Sequence, residues 1–576
     1  MPVHNEEIAA AFDEIADLLS LRGENPFRIR AYRQAARIVR GQPGELADKI
    51  AQGFDPDSLP GIGEDLAGKI RELAATGRCR MLEALRRSVP AGLRELLALP
   101  GIGPRRARAL YEALDVRGLD GLRDALDRHR VRDVPRFGPK LEERLGKALA
   151  ALAQHGKRVL ASVAAPVARG LCDYLAALPG VTRVEVAGSY RRGRETVGDL
   201  DVVVCAPPGA GVDAALAKFD ETATTLASGP TRSAVVLRNG MQVDVRVVPK
   251  ESFGAALYYF TGSKAHNIRL RGIALSRGLK INEYGVFRGR KRIAGESERS
   301  VLAAVGLPYI PPELREDRGE FEAALAGRLP TLVQRAQLRG DLHVHTIKTD
   351  GTASLEEMAD AALRAGLEYM AITDHSKYLG AVHGLDAASV GRQIDEIDAF
   401  NAGEHRLKVL KGIEVDILED GTLALPDKVL QRLDIVVAAV HGQFALPRRK
   451  QTGRLLRALD HPYVSILAHP TARLLEERAA IDCDWSKIFR RASERPCYLE
   501  LNAQPSRLDL DDVLVREAAA NGALISIASD AHGVHDFAYL EGGALQARRG
   551  WLTAAQVLNA RPLRELRGLL RRTRLN

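Results

Sequence analysis

The sequence predicts a multidomain chain that begins all-helical, passes into a strand-rich segment and ends in a β/α barrel. Three observations predict it. Residues 1 to about 150 are Ala/Leu/Arg-rich helical segments separated by short Gly/Pro breaks, and β-branched runs follow to about residue 250. Beyond residue 338, seven apolar runs each end in His, Asp, Glu or Asn, with helical stretches between several of them. A length of 576 residues suggests roughly three to five domains.

Composition narrows the class. No window approaches a membrane-spanning apolar run, and the start "MPVHNEEIAAAFDEIADLL" reads as an amphipathic helix carrying acids, so a soluble, intracellular protein without a membrane partner is expected. Cys79, Cys172, Cys205, Cys483 and Cys497 are scattered and form no CxxC pair, which argues against a disulfide framework or a thiolate zinc site. The net charge of +9 is uneven, +11 over residues 1–337 and −2 over 338–576. A polyanion partner therefore belongs to the first part.

Within the helical part three breaks resemble one another: "LPGIGEDLAGKI" from Leu59, "LPGIGPRRARAL" from Leu99 and a weaker "VPRFGPKLEERL" from Val134. A glycine turn that opens a helix exposes amide N–H groups to a phosphate without reading bases. These segments resemble helix-hairpin-helix motifs, which bind the DNA backbone, and Gly61, Gly63, Gly101 and Gly103 are the expected contacts.

The strand-rich part is written in "VTRVEVAGS", "DLDVVVCA" and "SAVVLRNGMQVDVRVVP", the last with an Asn-Gly hairpin signal. Side chains alternate along a strand, so Asp199 and Asp201 share one face and Leu200, Val202 and Val204 the other. Two carboxylates about 5 Å apart repel by roughly 3–4 kcal/mol at an effective dielectric near 20. A hard divalent cation is the simplest relief. In "MQVDVRVV" the same parity sends Asp244 and Arg246 off one face, adding a third carboxylate beside the first two. Such a cluster holding two ions suits in-line nucleotidyl transfer. Upstream, Gly188 and Ser189 offer N–H groups and a hydroxyl, and Arg192 a fork of donors for triphosphate oxygens.

"VGLPYIPPELREDRGE" carries Pro308, Pro311 and Pro312 and reads as a linker. After it come "DLHVH", "YMAITDH", "LKVLKGIE", "LDIVVAAVH", "VSILAH", "CYLELN" and "ALISIASDAH". Between the first two, "SLEEMADAALRAG" opens on a Ser354/Glu357 capping box and stops at Gly366. Parallel strands with polar carboxyl ends describe the active face of a β/α barrel, here with seven strands. Ten of the 14 histidines lie in this part. His343 and His345 share a strand face, and with His375, His441, His469, His532, Asp350, Glu414 and Asp530 they call for metal.

The run "GSYRRGRETVGDLD", "VDVRVVP", "LYYFTGSKAHN" and "INEYG", in that order, closely resembles the DNA polymerase X family, the group containing polymerase beta. That resemblance implies a nucleotidyltransferase palm with a mixed sheet, in which Asp199 and Asp201 bind both metals (Mg²⁺ or Mn²⁺). Asp244 would bind the catalytic metal and accept the primer 3′-hydroxyl proton. Ser189, Arg192 and Gly198 would hold the triphosphate, with Gly188 beside them. Tyr259, Phe260 and Gly262 would line the sugar pocket, Asn267 would meet the incoming base, and Arg271 the template strand, with Arg246 a further DNA contact. Lys264 stands where the animal enzymes carry an acid. "NPFRIRAYRQAARIV" and "LPGIGEDLAGKIRELAATG" resemble the family's amino-terminal lyase domain, with Lys69 at the Schiff-base position and Arg28 and Asp65 replacing lysines.

The pattern "HVH…D…DH…E…H…H…DAH" resembles the PHP domain of polymerases and histidinol phosphatases. It implies one ion on His343, His345, Glu414 and Asp530, a second on Glu414, His441 and His469, and a third on Asp350, His375 and His532, as Mn²⁺ or Zn²⁺. His383, His405, His461 and His535 match no ligand position.

Together these imply a helical lyase-like domain (1–85), a second helix-hairpin-helix subdomain (86–150), palm (151–250), thumb (251–316), linker (317–337) and PHP barrel (338–576). The expected function is gap filling in base-excision repair, with 3′-to-5′ exonuclease and abasic-site cleavage by the barrel. Partners would be gapped or primer-template DNA and deoxynucleoside triphosphates, for a cytoplasmic, nucleoid-associated monomer. The alternative is a template-independent nucleotidyltransferase with a structural barrel.

Overall fold

A computed structural model describes residues 5–40, 42, 46–59, 61–90, 92–93, 96–98, 102–135, 137–139, 141–146, 149, 158–207, 209–377 and 383–572. They pack into two compact units, residues 1–157 and 158–576. Among the described residues no helix is long and apolar enough to cross a membrane, and all five cysteines are free.

The first unit is helical throughout its described length. Ile8, Phe12, Ile15 and Leu19 recur at helical spacing on Asn5–Leu21 and are all buried, Phe12 edge-on to Tyr32 of the next helix at 5.7 Å. Gly61, at φ +87°, turns the chain into the helix Glu64–Thr76, which Gly63 caps without a side-chain hydrogen bond. Gly103 caps the helix Pro104–Leu114 in the same way. Gly101 and part of the third glycine break, including Arg136, lie outside the described residues.

In the second unit the helix Ala161–Ala176 leads into a mixed five-stranded sheet. Its order is Arg183–Val186, Asp199–Cys205, Gln242–Val248, Arg232–Leu237 and Thr222–Ala227, with the second and third strands parallel. The Asn-Gly hairpin forms as expected: Gly240 takes φ +85° and Leu237 and Met241 pair across the turn. Leu200, Val202 and Val204 bury on one face. From Val203 onward the other face is covered too, by Phe253, Ala256 and Leu257 of the helix Phe253–Thr261.

A three-stranded antiparallel sheet, Lys280–Asn282, Gly285–Arg288 and Lys291–Ala294, follows. Residues 317–337, expected as a linker, hold the helix Glu320–Leu325. Glu320 accepts the N–H groups of Asp317 and Arg318 and meets His266 Nδ1 at 2.6 Å, while Phe321 stacks on the His266 ring. His266 is distant in sequence, which is why the local pattern does not reveal this helix.

All seven apolar runs of the last part are parallel strands, the third split in two: Lys408–Lys411 and Glu414–Asp416. The split falls at Gly412, where a Cβ would stand 2.6 Å from the Ile372 carbonyl oxygen. Parallel bridges at Val344/Ala531 and His375/Glu414 join the two sheets into a closed ring. The Ser354/Glu357 capping box is present.

Glu298 illustrates what holds this unit together. It is buried and accepts Arg191 at 2.7 and 2.8 Å and Arg315 at 2.6 Å. Burial raises its pKa, but the two guanidiniums outweigh that and bring it down to about 2. A depressed folded pKa means its contribution is complete above the ordinary value near 4.5 and is lost as pH falls towards 2. Glu298→Ala is therefore expected to destabilise this unit by about 3–5 kcal/mol at pH 7. Chemical denaturation at pH 7 and pH 3 should show the gap between wild type and variant shrinking in acid.

Candidate functional site

Two constellations stand in the second unit. In the first, Asp201 and Asp244 are direct register partners on adjacent parallel strands, and Asp199 lies two residues before Asp201 on the same face. Asp199 is exposed and the other two half-buried. Burial, Asp199 and Asp244 together push the Asp201 carboxyl up to about 7. Gln242 Nε2 donates to Asp244 Oδ2, and Arg232 stands 3.6 Å from Asp244 Oδ1. Three crowded carboxylates, one held against ionisation by burial and by the others, are a donor set suited to hard divalent cations.

The loop above them is shaped by the same crowding. Gly188 sits at φ +62°, and a Cβ there would lie 2.4 Å from Asp201 Oδ2. Arg192, expected on the triphosphate, donates from Nε to Glu316 Oε1 at 3.0 Å and from Nη1 to the Thr261 carbonyl at 2.5 Å. It thereby joins the loop to the "YFTGS" segment, where a Cβ on Gly262 would stand 3.2 Å from Arg192 Nη1. Tyr259 and Phe260 meet edge-on at 5.2 Å, and Asn267 Nδ2 donates to the Tyr259 carbonyl at 2.7 Å. Ser189 is half-buried, as is Gly198, which precedes the Asp199 strand. Arg271 is exposed, whereas Arg246 lies over the Phe260 ring at 4.9 Å. Arg246 is thus turned towards Phe260.

In the first unit, Lys69 pairs with the Asp65 carboxylate and donates to its carbonyl at 3.2 Å. Burial lowers its pKa, but Asp65 and Tyr32 raise it further, so the ammonium is held above its usual value. A Schiff-base nucleophile needs the reverse, and this geometry counts against Lys69 in that role.

The second constellation lies at the carboxyl ends of the barrel strands. All nine expected side chains are brought together. Glu414 is the hub: Oε1 is 3.2 Å from His441 Nε2 and 3.0 Å from His469 Nε2, and Oε2 is 2.9 Å from His375 Nδ1 and 3.4 Å from His343 Nε2. Asp530 Oδ1 lies 3.2 Å from His345 Nε2, and Asp350 Oδ2 lies 3.3 and 3.4 Å from His375 and His532 Nε2.

Of these pairs, His469 Nε2 and Glu414 Oε1 are hydrogen-bonded. Among the described residues, His343 Nε2, both ring nitrogens of His345, His375 Nδ1 and Glu414 Oε2 are buried with no hydrogen-bond partner. Ligands disposed around a common ion have that arrangement, and mixed imidazole and carboxylate donors fit Mn²⁺ or Zn²⁺. The ligand atoms fall into three overlapping groups: His345, Asp350, His375 and His532; His343, His345 and Asp530; His375, Glu414 and His441. His345 and His375 each enter two groups, a sharing that pattern matching alone does not reveal. Burial raises the Glu414 and Asp530 pKa values, but the histidines facing them hold both well below the carboxylate range.

Sequence reasoning missed the side chains that aim these ligands. Glu500 Oε1 receives His343 Nδ1 at 2.7 Å, and Asp416 Oδ1 receives His441 Nδ1 at 2.9 Å, turning each Nε2 inward. Asp416 shares a strand face with Glu414, so the two-residue parity in "GIEVD" was an available signal.

Comparison with known proteins follows the same division. A helix-hairpin-helix domain family matches residues 3–79, a SAM-like helix-hairpin-helix tandem 93–151, the DNA polymerase beta palm 167–246, the DNA polymerase beta thumb 256–316 and the PHP domain 341–504. The DNA polymerase/3′-5′ exonuclease PolX of Bacillus subtilis (strain 168) is 38% identical over 577 residues, spanning 99% of this chain and 100% of that protein. DNA polymerase lambda of Arabidopsis thaliana is 26% identical over 352 residues, 54% of this chain and 62% of that protein. A probable phosphatase of Thermoanaerobacter sp. (strain X514) is 29% identical over 231 residues, 38% of this chain and 89% of that protein.

The carboxylate loop yields a sharp prediction. Gly188→Ala must displace Asp201 or the loop by about 1 Å, and a misplacement of that size costs on the order of 100-fold in rate. Nucleotidyl transfer should fall by that factor while phosphodiester hydrolysis at the histidine cluster stays at the wild-type rate. Paired rate measurements on one preparation check both.

Proposed function

We infer function from membership: the chain belongs to the family of DNA polymerase/3′-5′ exonucleases, with polymerase beta-like palm and thumb and a PHP domain. It is a DNA-directed DNA polymerase and a 3′-to-5′ exonuclease. Our finer reading is that it fills short gaps in base-excision repair, trims 3′ ends and cleaves at abasic sites with the barrel, and works as a cytoplasmic monomer on gapped or primer-template DNA. The observation that carries the polymerase assignment is the register pairing of Asp201 with Asp244 beneath the loop that presents Arg192.

In the palm, Asp199, Asp201 and Asp244 would hold two Mg²⁺ or Mn²⁺ ions. In the barrel, His343, His345, Asp350, His375, Glu414, His441, His469, Asp530 and His532 would hold up to three Mn²⁺ or Zn²⁺ ions. Bound divalent ions supply Lewis-acid polarisation of phosphoryl oxygens and an activated oxygen nucleophile at both sites. The protein's own side chains do the rest. The Asp244 carboxylate takes the proton of the primer 3′-hydroxyl, while Gln242 fixes its orientation from the same strand face. Ser189 and Arg192 bind triphosphate oxygens, and Tyr259 and Phe260 form the sugar wall. Glu500 and Asp416 fix the tautomers of His343 and His441.

Three outcomes test this reading. Asp244→Ala should lower primer extension by about 10²–10⁴-fold, the range a general base contributes, and leave exonuclease activity intact. His343→Ala should do the opposite, and a fully active His343→Ala exonuclease would overturn the barrel assignment. In template-directed extension the matched nucleotide should be strongly preferred; equal incorporation of all four would favour a template-independent transferase.

Metal removal adds a test independent of turnover. At a hundredfold excess over its dissociation constant, Mn²⁺ should stabilise the chelator-stripped chain by about 2.7 kcal/mol. Glu414→Gln, lacking the hub charge, should lose most of that gain in thermal melts.

A further inference from the structure

The loop between Ser189 and Asp199 is built onto the barrel. Three of its residues, Arg192, Gly193 and Glu195, meet barrel side chains. Arg549 Nη1 donates to the Arg192 carbonyl at 2.7 Å. Gly193, at φ +71°, lies so close to Leu545 that a Cβ would stand 2.5 Å from its Cγ. Glu195 accepts Arg473 Nη2 at 2.8 Å and Gln546 Nε2 at 3.3 Å.

One of these contacts reaches the Arg192 side chain. Arg549, on the helix Leu540–Arg549, has a side chain only 1% exposed. Its guanidinium donates to Glu316 Oε1 at 3.1 Å and to Asp512 Oδ2 at 2.6 Å. The same Glu316 oxygen accepts Arg192 Nε at 3.0 Å, which leaves Nη1 on the Thr261 carbonyl beside Gly262. A carboxylate shared by two guanidiniums fixes both forks, and a buried arginine serving three acceptors has no second arrangement that satisfies them all. Glu316 remains anionic there: burial raises its pKa, but Arg192 and Arg549 lower it further.

We propose that Arg549 of the barrel is a positioning residue of the polymerase site: through Glu316 and the Arg192 carbonyl it sets the orientation of the Arg192 guanidinium that receives the incoming triphosphate. The proposal rests on the triphosphate role read for Arg192 above. Its consequence is that the nucleotide site of the palm is completed by the PHP barrel, whose helix contributes no atom to either metal cluster.

The test is single-nucleotide insertion into gapped DNA by the full chain, with KM for the deoxynucleoside triphosphate and kcat measured separately, alongside exonuclease rate and melting temperature. Arg549→Met and Glu316→Gln should each raise KM about tenfold with kcat within twofold and the exonuclease unchanged. Arg549→Lys, which keeps the charge beside Glu316 but not the fork, should recover only part of the affinity. Adding Arg549→Met to Arg192→Ala should raise KM no further, because both act through one guanidinium. Wild-type KM in Arg549→Met and Glu316→Gln, with an elevated KM in Arg192→Ala, would reject the positioning role alone. A wild-type KM in Arg192→Ala would instead reject its triphosphate role. Should Arg549→Met fail to fold, seen as loss of both activities, Glu316→Gln decides: raised KM supports the proposal and unchanged KM overturns it.

Discussion

Asp201 and Asp244 occupy matching positions on neighbouring parallel strands, and that pairing governs the palm. A sheet cannot spread them apart without breaking its ladder, so burial and their mutual repulsion, sharpened by Asp199, show as a raised Asp201 pKa that a bound cation would relieve. The surrounding sequence conforms to it. Gly188 has no side chain because the space is taken by the Asp201 carboxylate, and Leu200, Val202 and Val204 anchor the strand from behind. Gln242 and Arg232 approach Asp244 from the sides, and the open face remains for ions and nucleotide.

The barrel solves a related problem with softer donors. Its candidate ligands come from six different strand ends and centre on Glu414, whose strand is broken off the preceding one at Gly412. Imidazoles need aiming as well as gathering, and buried carboxylates behind them, Glu500 and Asp416, provide it. The two centres thus differ in chemistry but share a design: rigid parallel strands, charged termini and neighbouring side chains that orient some of the candidate ligands, Asp244 in the palm and His343 and His441 in the barrel. The arginine and glutamate contacts between the palm loop and the barrel tie the two designs together within one unit.

Much of this was legible because period-two alternation and turn chemistry are local. The Asn239–Gly240 hairpin, the shared face of Asp199 and Asp201, the Ser354/Glu357 cap and all seven strand ends of the barrel follow from neighbours in sequence. What stayed hidden depends on partners far along the chain. The edge strand Thr222–Ala227 is half threonine and mostly exposed, so it carries no apolar alternation. The helix Glu320–Leu325 exists because Glu320 and Phe321 find His266, more than fifty residues earlier. The family resemblance placed Lys69 at the Schiff-base position, and Asp65, one turn away and visible in the sequence, pairs with it and raises the ammonium's pKa.

The polymerase site depends on three carboxylates sharing ions. Anomalous diffraction from crystals grown with Mn²⁺, gapped DNA and a non-hydrolysable deoxynucleoside triphosphate tests that most directly. Two manganese peaks bounded by the carboxylates of Asp199, Asp201 and Asp244, both touching triphosphate oxygens, are the predicted result. A nucleotide bound with no manganese between Asp201 and Asp244 would contradict it.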